Sequence, residues 1–106
     1  MKAYAIAHLR QVRMGPDIRR YLERIDATLA PFGGSFIVHG GPLHQLEGAF
    51  SADVIVIGFP DMQAARGWYG SPAYQAILPL RSANAEGDAF LIEGVDAAHK
   101  ATDILA

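Results

Sequence analysis

The chain of 106 residues contains no cysteine. Disulfide bonds, thiolate catalysis and cysteine-ligated metals are therefore excluded, which agrees with an intracellular location. No apolar run approaches the roughly 20 residues that a membrane-spanning helix needs. The start, MKAYAIAH, holds one lysine and lacks the uniform apolar core and cleavage signal of a secretory peptide. We therefore expect a cytoplasmic protein without membrane contact.

An excess of positive charge is also absent. Lysine and arginine number 9 against 11 acidic residues, and the net charge is −2. General attraction to nucleic acid needs a basic surface, so we expect no nucleic-acid partner. Arginines are concentrated between positions 10 and 24, but acids lie among them. This mixture favours a solvated helix face over an anion-binding patch.

Apolar periodicity predicts strands at residues 3–9, 35–39, 53–59 and 88–94, with one helical region between the first two strands and another between the last two. The order βαββαβ is that of the ferredoxin-like α+β fold, a four-stranded antiparallel sheet with two helices on one face. We expect one domain over residues 1–94. Residues 95–106 form a C-terminal tail, either mobile or a docking segment.

The third strand, DVIVIGF at residues 53–59, is apolar on both faces. A lone antiparallel sheet with helices on one face leaves the other face wet, and that face is normally polar. A large exposed apolar patch usually means that a partner covers it. We therefore expect a homodimer that forms through the sheet face.

The stretch GWYGSPAYQ, residues 67–75, predicts a junction between two helical pieces. Gly70 can end the first piece, Ser71 can cap the second, and Pro72 suits its first turn. At least one of Trp68 and Tyr69 must face the core. Further along, Pro79 predicts a bend or stop before Leu80.

Two segments carry a resemblance to a known family. FPDMQAARGWYGSPAYQAILPLR, residues 59–81, and GGSFIVHGG, residues 33–41, closely resemble domain-of-unknown-function family 1330 of the dimeric α/β-barrel superfamily. The resemblance covers about residues 3–94. It implies a ferredoxin-like protomer that pairs sheet to sheet with a second copy and closes a dimeric α/β barrel.

The resemblance also bears on single residues. Arg81 matches an arginine that is typical of the family, which could hold a carboxylate or pair with a nearby acid. His39 stands where family members usually carry an arginine. The usual Asp-Pro before the first helix appears here as Gly15-Pro16, preceded by Met14.

Two histidines on predicted strands are the catalytic candidates. His8 and His39 could serve as acid and base in an apolar cavity, or they could be partly exposed strand-end residues without a role. The candidate substrate-binding residues are Tyr4, Trp68, Tyr69, Tyr74 and Arg81. A metal site needs a third ligand at a recognisable spacing, and none is present, so we expect no metal and no other cofactor.

Other templates do not fit. The glycine pairs at residues 33–34 and 40–41 match neither the P-loop nor the dinucleotide fingerprint, and there is no nucleophile elbow. RNA-recognition domains share the βαββαβ order but need basic and aromatic residues where this chain has Val54 to Ile57.

Two hypotheses from different classes remain. In the first, the barrel cavity binds or transforms a small apolar or aromatic molecule without a cofactor, as superfamily relatives do. In the second, the chain is a non-catalytic homodimeric binding or accessory module with a packed barrel core. An open, partly polar cavity that reaches a histidine favours the first, and a core filled by side chains favours the second. Whether the chain is an enzyme stays open at this point.

Overall fold

The structure is a computed structural model that describes residues 1–106. Its strands are β1 (Ala3–Arg10), β2 (Ser35–His39), β3 (Asp53–Phe59) and β4 (Glu86–Glu93); its helices are α1 (Pro16–Leu29), α2 (Met62–Tyr69) and α3 (Pro72–Ser82). Short 3-10 turns follow α1 and lie near the C-terminus, at Ala30–Phe32 and Ala101–Leu105. The predicted βαββαβ order is confirmed, with the second helical region divided into α2 and α3.

The four strands form one antiparallel sheet in the order β2-β3-β1-β4. This is the ferredoxin-like arrangement, and the sheet of a single copy is open at both edges. On β1, Ala5 lies opposite Ile57 of β3 and Leu91 of β4. These three residues belong to the face that meets the helices, which we call the inner face; the opposite side is the outer face.

A β-bulge interrupts the pairing of β2 with β3. Phe36 pairs with Ile57 and Val38 pairs with Val56, so Ile37 is an extra residue on β2. The extra residue reverses the alternation beyond it. Phe36 and His39 therefore both face the helices, whereas Ile37 and Val38 both face outward.

The core lies between the inner face and the helices. The stripe of α1 buries Ile18, Tyr21, Ile25 and Leu29, as its three- and four-residue spacing predicts. Trp68 of α2 is also buried, and its indole Nε1 donates a hydrogen bond of 3.0 Å to Thr28 Oγ1. The adjacent Tyr69 is 41% exposed, so Trp68 is the aromatic residue that anchors α2 in the core.

The helix junction has the structure that its sequence predicts. Ser71 Oγ accepts a hydrogen bond from the backbone N–H of Tyr74 and donates one of 2.7 Å to the carbonyl oxygen of Trp68. One side chain thus caps the start of α3 and closes the end of α2. Of the bend or stop expected at Pro79, the stop is not found, since α3 continues to Ser82. Gln75 and Pro79 lie on the exposed side of α3, where water can reach the carbonyl that proline leaves without a donor.

No helix is both long enough and apolar enough to cross a membrane. Beyond β4, the backbone N–H of Gly94 donates to the carbonyl oxygen of Lys2, and the residues that follow make only local hydrogen bonds. Residues 95–106 are exposed throughout.

The junction generates a stability prediction. We expect Ser71→Ala to lower the free energy of unfolding by about 1–2 kcal/mol, because it removes the cap of α3 and the bond to the Trp68 carbonyl. Ser82→Ala, at the exposed end of α3, is the matched control and should change stability by less than about 0.5 kcal/mol. Urea denaturation at one fixed protein concentration measures both, and equal effects would contradict the capping role.

Candidate functional site

A cavity of about 460 Å³ lies between the inner face of the sheet and helices α1 and α3, and it is partly open to solvent. Ligand pockets in proteins typically measure roughly 300–1,000 Å³ and are mostly apolar. This cavity has that character, since nearly all of its lining residues are apolar or aromatic. It is the candidate functional site.

Small side chains form the floor of the cavity. Ala5 and Ala7 lie on the inner face of β1, and Ala89 of β4 is paired with Ala7. Larger apolar residues from the same face and from α1 form the walls, including Leu9, Ile55, Leu91, Ile18, Leu22 and Ile25. The space exists because the central strand presents methyl groups where a packed core would carry longer chains.

Aromatic rings from α2 and α3 form one wall. The ring centroids of Trp68 and Tyr74 are 4.1 Å apart, and those of Tyr69 and Tyr74 are 5.6 Å apart. Trp68 and Tyr74 are buried, whereas Tyr69 lies at the surface. A flat apolar ligand can therefore contact ring faces along this wall.

Two tyrosine hydroxyls meet within this apolar wall. The Oη atoms of Tyr21 and Tyr74 are 2.8 Å apart and form a buried hydrogen bond. Burial raises the pKa of Tyr21 far above its ordinary value, and the neighbouring Tyr74 adds to the shift. Tyr21 therefore acts as a neutral hydroxyl near pH 7. One hydroxyl donates its proton to the other, and the acceptor retains a proton that it can donate elsewhere.

A single cation lies beside the tyrosine pair. The guanidinium carbon of Arg81 is 6.0 Å from the centroid of the Tyr21 ring, and Arg81 is half-buried. Burial acts to lower the pKa of Arg81, but the hydroxyls of Tyr74 and Tyr21 favour the charged form more strongly and the net shift is upward. The only ion pairs within 4.0 Å in the structure are Arg10–Asp88 and His99–Asp103, so Arg81 has no carboxylate partner.

His39 lies at the exposed rim of the cavity, where the bulge in β2 directs it. Its imidazole stacks on the ring of Phe36, with centroids 4.3 Å apart and planes inclined by 14°. Asp53, at the start of β3, also lines the cavity and is exposed. His39 and Asp53 add polar groups at the rim, apart from the tyrosine pair in the wall.

The structure brings five of the seven sequence-predicted site residues to this cavity: His39, Trp68, Tyr69, Tyr74 and Arg81. Tyr4 and His8 are not among its lining residues. They lie on the outer face, because Tyr4 is paired with Gly58 and His8 with Val54. His8 contacts the ring of Phe50 there, with centroids 5.2 Å apart. The two histidines therefore do not form a pair.

The position of the cavity also differs from the sequence-based expectation. That expectation was a site inside a barrel, between two sheets, whereas the cavity lies on the helix side of one sheet. The difference arises because alternation shows which residues share a face but not which face the helices cover.

The sequence-based site lacked most of the lining residues, among them Tyr21, Phe36 and Asp53. Tyr21 was recognised only as part of the apolar stripe of α1. Its hydroxyl could have drawn attention, since a buried tyrosine usually needs a hydrogen-bond partner. Phe36 and Asp53 gave no signal, because their relation to the cavity depends on strand pairing.

The residues that could bind a metal are dispersed. No group of three or more histidine, cysteine or acidic side chains lies in an arrangement that could hold a metal ion.

Solved structures with similar folds support the architecture. A protein of unknown function from Rhodopseudomonas palustris is 16% identical, with a TM-score of 0.68 over 90% of this chain and 83% of that one. SnoaB, a cofactor-independent oxygenase from Streptomyces nogalater, is 16% identical, with a TM-score of 0.60 over 93% and 98%. A dimeric ferredoxin-like protein of unknown function from Jannaschia sp. CCS1 is 14% identical, with a TM-score of 0.54 over 91% and 100%.

These low identities show a shared fold and nothing finer. No curated protein is detectably similar to the chain. A family model, in contrast, matches residues 2–95, which include all four strands and all three helices. The chain therefore belongs to the family described as domain of unknown function DUF1330.

Proposed function

We propose that the chain binds a small apolar or aromatic molecule, without a bound cofactor, in the cavity between the sheet and helices α1 and α3. The observation that carries this proposal is the cavity itself, about 460 Å³ and lined mainly by apolar and aromatic residues. Protein interiors are normally close-packed, so an opening of this size beside aromatic rings supports a binding role over a filled core.

Transformation of the bound molecule is the second candidate, and His39 is the observation that favours it. Imidazole is the side chain best suited to exchange protons near neutral pH, and His39 lines the cavity. SnoaB, which shares the fold, is described as a cofactor-independent oxygenase. The alternative remains a binding or accessory module with no catalytic activity. Turnover of a bound ring compound that His39→Ala abolishes, with binding retained, would distinguish catalysis from binding alone.

We also propose that two copies pair through the outer faces of their sheets. Apolar side chains crowd this face, with Ile37 59%, Ile92 49% and Phe90 43% exposed. Val56 lies near its centre, paired with Ile6 and Val38. A soluble domain rarely leaves such a surface uncovered. A similar fold is described as dimeric in the Jannaschia protein.

The ligand proposal predicts binding of a neutral naphthyl probe. We expect N-phenyl-1-naphthylamine to bind at micromolar concentration with enhanced fluorescence, because the cavity removes it from water. Ala7→Phe places a ring on the cavity floor and should weaken binding at least about tenfold, which corresponds to about 1.4 kcal/mol.

Ala76→Phe is the matched control, since Ala76 is exposed on α3 and does not line the cavity. Its affinity for the probe should equal that of the unchanged protein. Circular dichroism verifies that both variants are folded. Undiminished binding to a folded Ala7→Phe variant would show that the probe binds elsewhere and would refute the cavity proposal.

The dimer proposal predicts that Val56→Lys yields a monomer at micromolar concentration. Pairing would bury one unpaired ammonium group from each copy, at a cost of several kcal/mol. Ala76→Lys, which adds the same charge to the exposed side of α3, should remain dimeric. Light scattering coupled to size-exclusion chromatography measures both, and an unchanged protein that is itself monomeric would exclude the dimer.

A further inference from the structure

The tyrosine wall of the cavity has a chemical preference that its apolar residues do not explain. Arg81 supplies a single positive charge beside the hydroxyls of Tyr21 and Tyr74. No carboxylate lies within 4.0 Å of its guanidinium group. A half-buried cation without a counter-ion has lost part of its hydration, and an anion that enters the cavity can pair with it.

The hydrogen-bond donors of Arg81 and the tyrosine pair match the two oxygen atoms of a carboxylate. A guanidinium presents a planar fork of N–H groups that matches a carboxylate in a two-point contact. The tyrosine pair has one hydroxyl proton that its internal hydrogen bond does not use. A carboxylate has enough acceptor sites for both groups, whereas a neutral amide can satisfy only part of them.

The other residues that line the cavity restrict the shape and charge of the part of the ligand beyond its carboxylate. The rings of Trp68, Tyr69 and Tyr74 come from α2 and α3, and Arg81 also lies on α3. The sheet side of the cavity is mainly aliphatic. A flat apolar body therefore fits next to the charged group. Asp53 also lines the cavity, at the exposed rim, and makes no ion pair with Arg81. Its charge opposes a second anionic group at the rim.

We infer that the ligand of this cavity is an aromatic monocarboxylate, with its carboxylate against Arg81 and the Tyr21–Tyr74 hydroxyl pair and its ring against the aromatic wall. This inference rests on the proposed function, because it requires that the cavity binds a small molecule. Beyond the proposed function, the inference specifies that the ligand is negatively charged, that it has one anionic group, and that this group lies at the Arg81 end of the cavity.

Isothermal titration calorimetry with the full chain at pH 7 and three naphthyl ligands tests the inference. We expect 2-naphthoate to bind at least about tenfold more tightly than the neutral 2-naphthamide, since a hydrogen bond to a charged group contributes more than a neutral one. The cation 2-naphthylmethylammonium should bind more weakly than either. Equal affinities for naphthoate and naphthamide would overturn the inference. Tighter binding of the cation, through attraction to Asp53, would also overturn it.

Variants then locate the carboxylate. Arg81→Met should reduce naphthoate affinity to that of naphthamide while leaving naphthamide binding unchanged, and Arg81→Lys should retain part of the preference. Tyr21→Phe should weaken naphthoate binding by a smaller factor. Arg24→Met is the matched control, because Arg24 is exposed on α1 and does not line the cavity. A preference for naphthoate that survives in Arg81→Met would place the anion elsewhere and refute the assignment.

The failures of the two proposals are distinguishable. Binding of the neutral N-phenyl-1-naphthylamine without any preference for naphthoate refutes the monocarboxylate assignment and leaves the cavity proposal intact. Absence of binding by the neutral probe and by all three naphthyl ligands refutes both. If Arg81→Met does not fold, the comparison of ligands on the unchanged protein still decides the inference.

Discussion

The row of alanines on the inner face of β1 is the constraint on which the candidate site depends. Ala3, Ala5 and Ala7 lie on the central strand, under the helices. Ala3 is fully buried in the hydrophobic core, whereas Ala5 and Ala7 line the cavity. Leucine or isoleucine at these positions would bury more apolar surface and fill the space. Small side chains at the centre of the sheet thus leave a cavity where larger ones would form a packed core.

The helices can remain above this cavity because other contacts secure them. α1 and α3 pack against each other, and α2 lies against the sheet, held in place by Trp68. The indole nitrogen of Trp68 donates to Thr28 of α1, and the hydroxyls of Tyr21 and Tyr74 join α1 to α3. Buried polar groups stabilise a structure when each has a partner, and here no buried side-chain nitrogen or oxygen lacks one. These bonds hold the aromatic wall in a defined position relative to the cavity.

The two faces of the sheet have different roles, although both are apolar. Helices cover the inner face and enclose the cavity, whereas the outer face of a single copy is open, with Ile37, Phe90 and Ile92 exposed. The bulge at Ile37 contributes to both roles, because it directs His39 to the cavity rim and adds an apolar side chain to the outer face. Pairing of copies and ligand binding can therefore occupy opposite sides of one sheet.

The sequence alone determined what depends on neighbours along the chain. Alternation identified every strand to within about two residues, and three- to four-residue spacing indicated the helical regions between them. Gly70, Ser71 and Pro72 indicated the helix junction because caps and turns are local structures. Only the tertiary structure decided which faces the two histidines occupy. Strict alternation from Phe36 would direct His39 outward, and the bulge, which arises from pairing with β3, reverses this. The tertiary structure likewise brought Tyr21 and Arg81 together, since they are distant along the chain and meet only where α1 packs against α3.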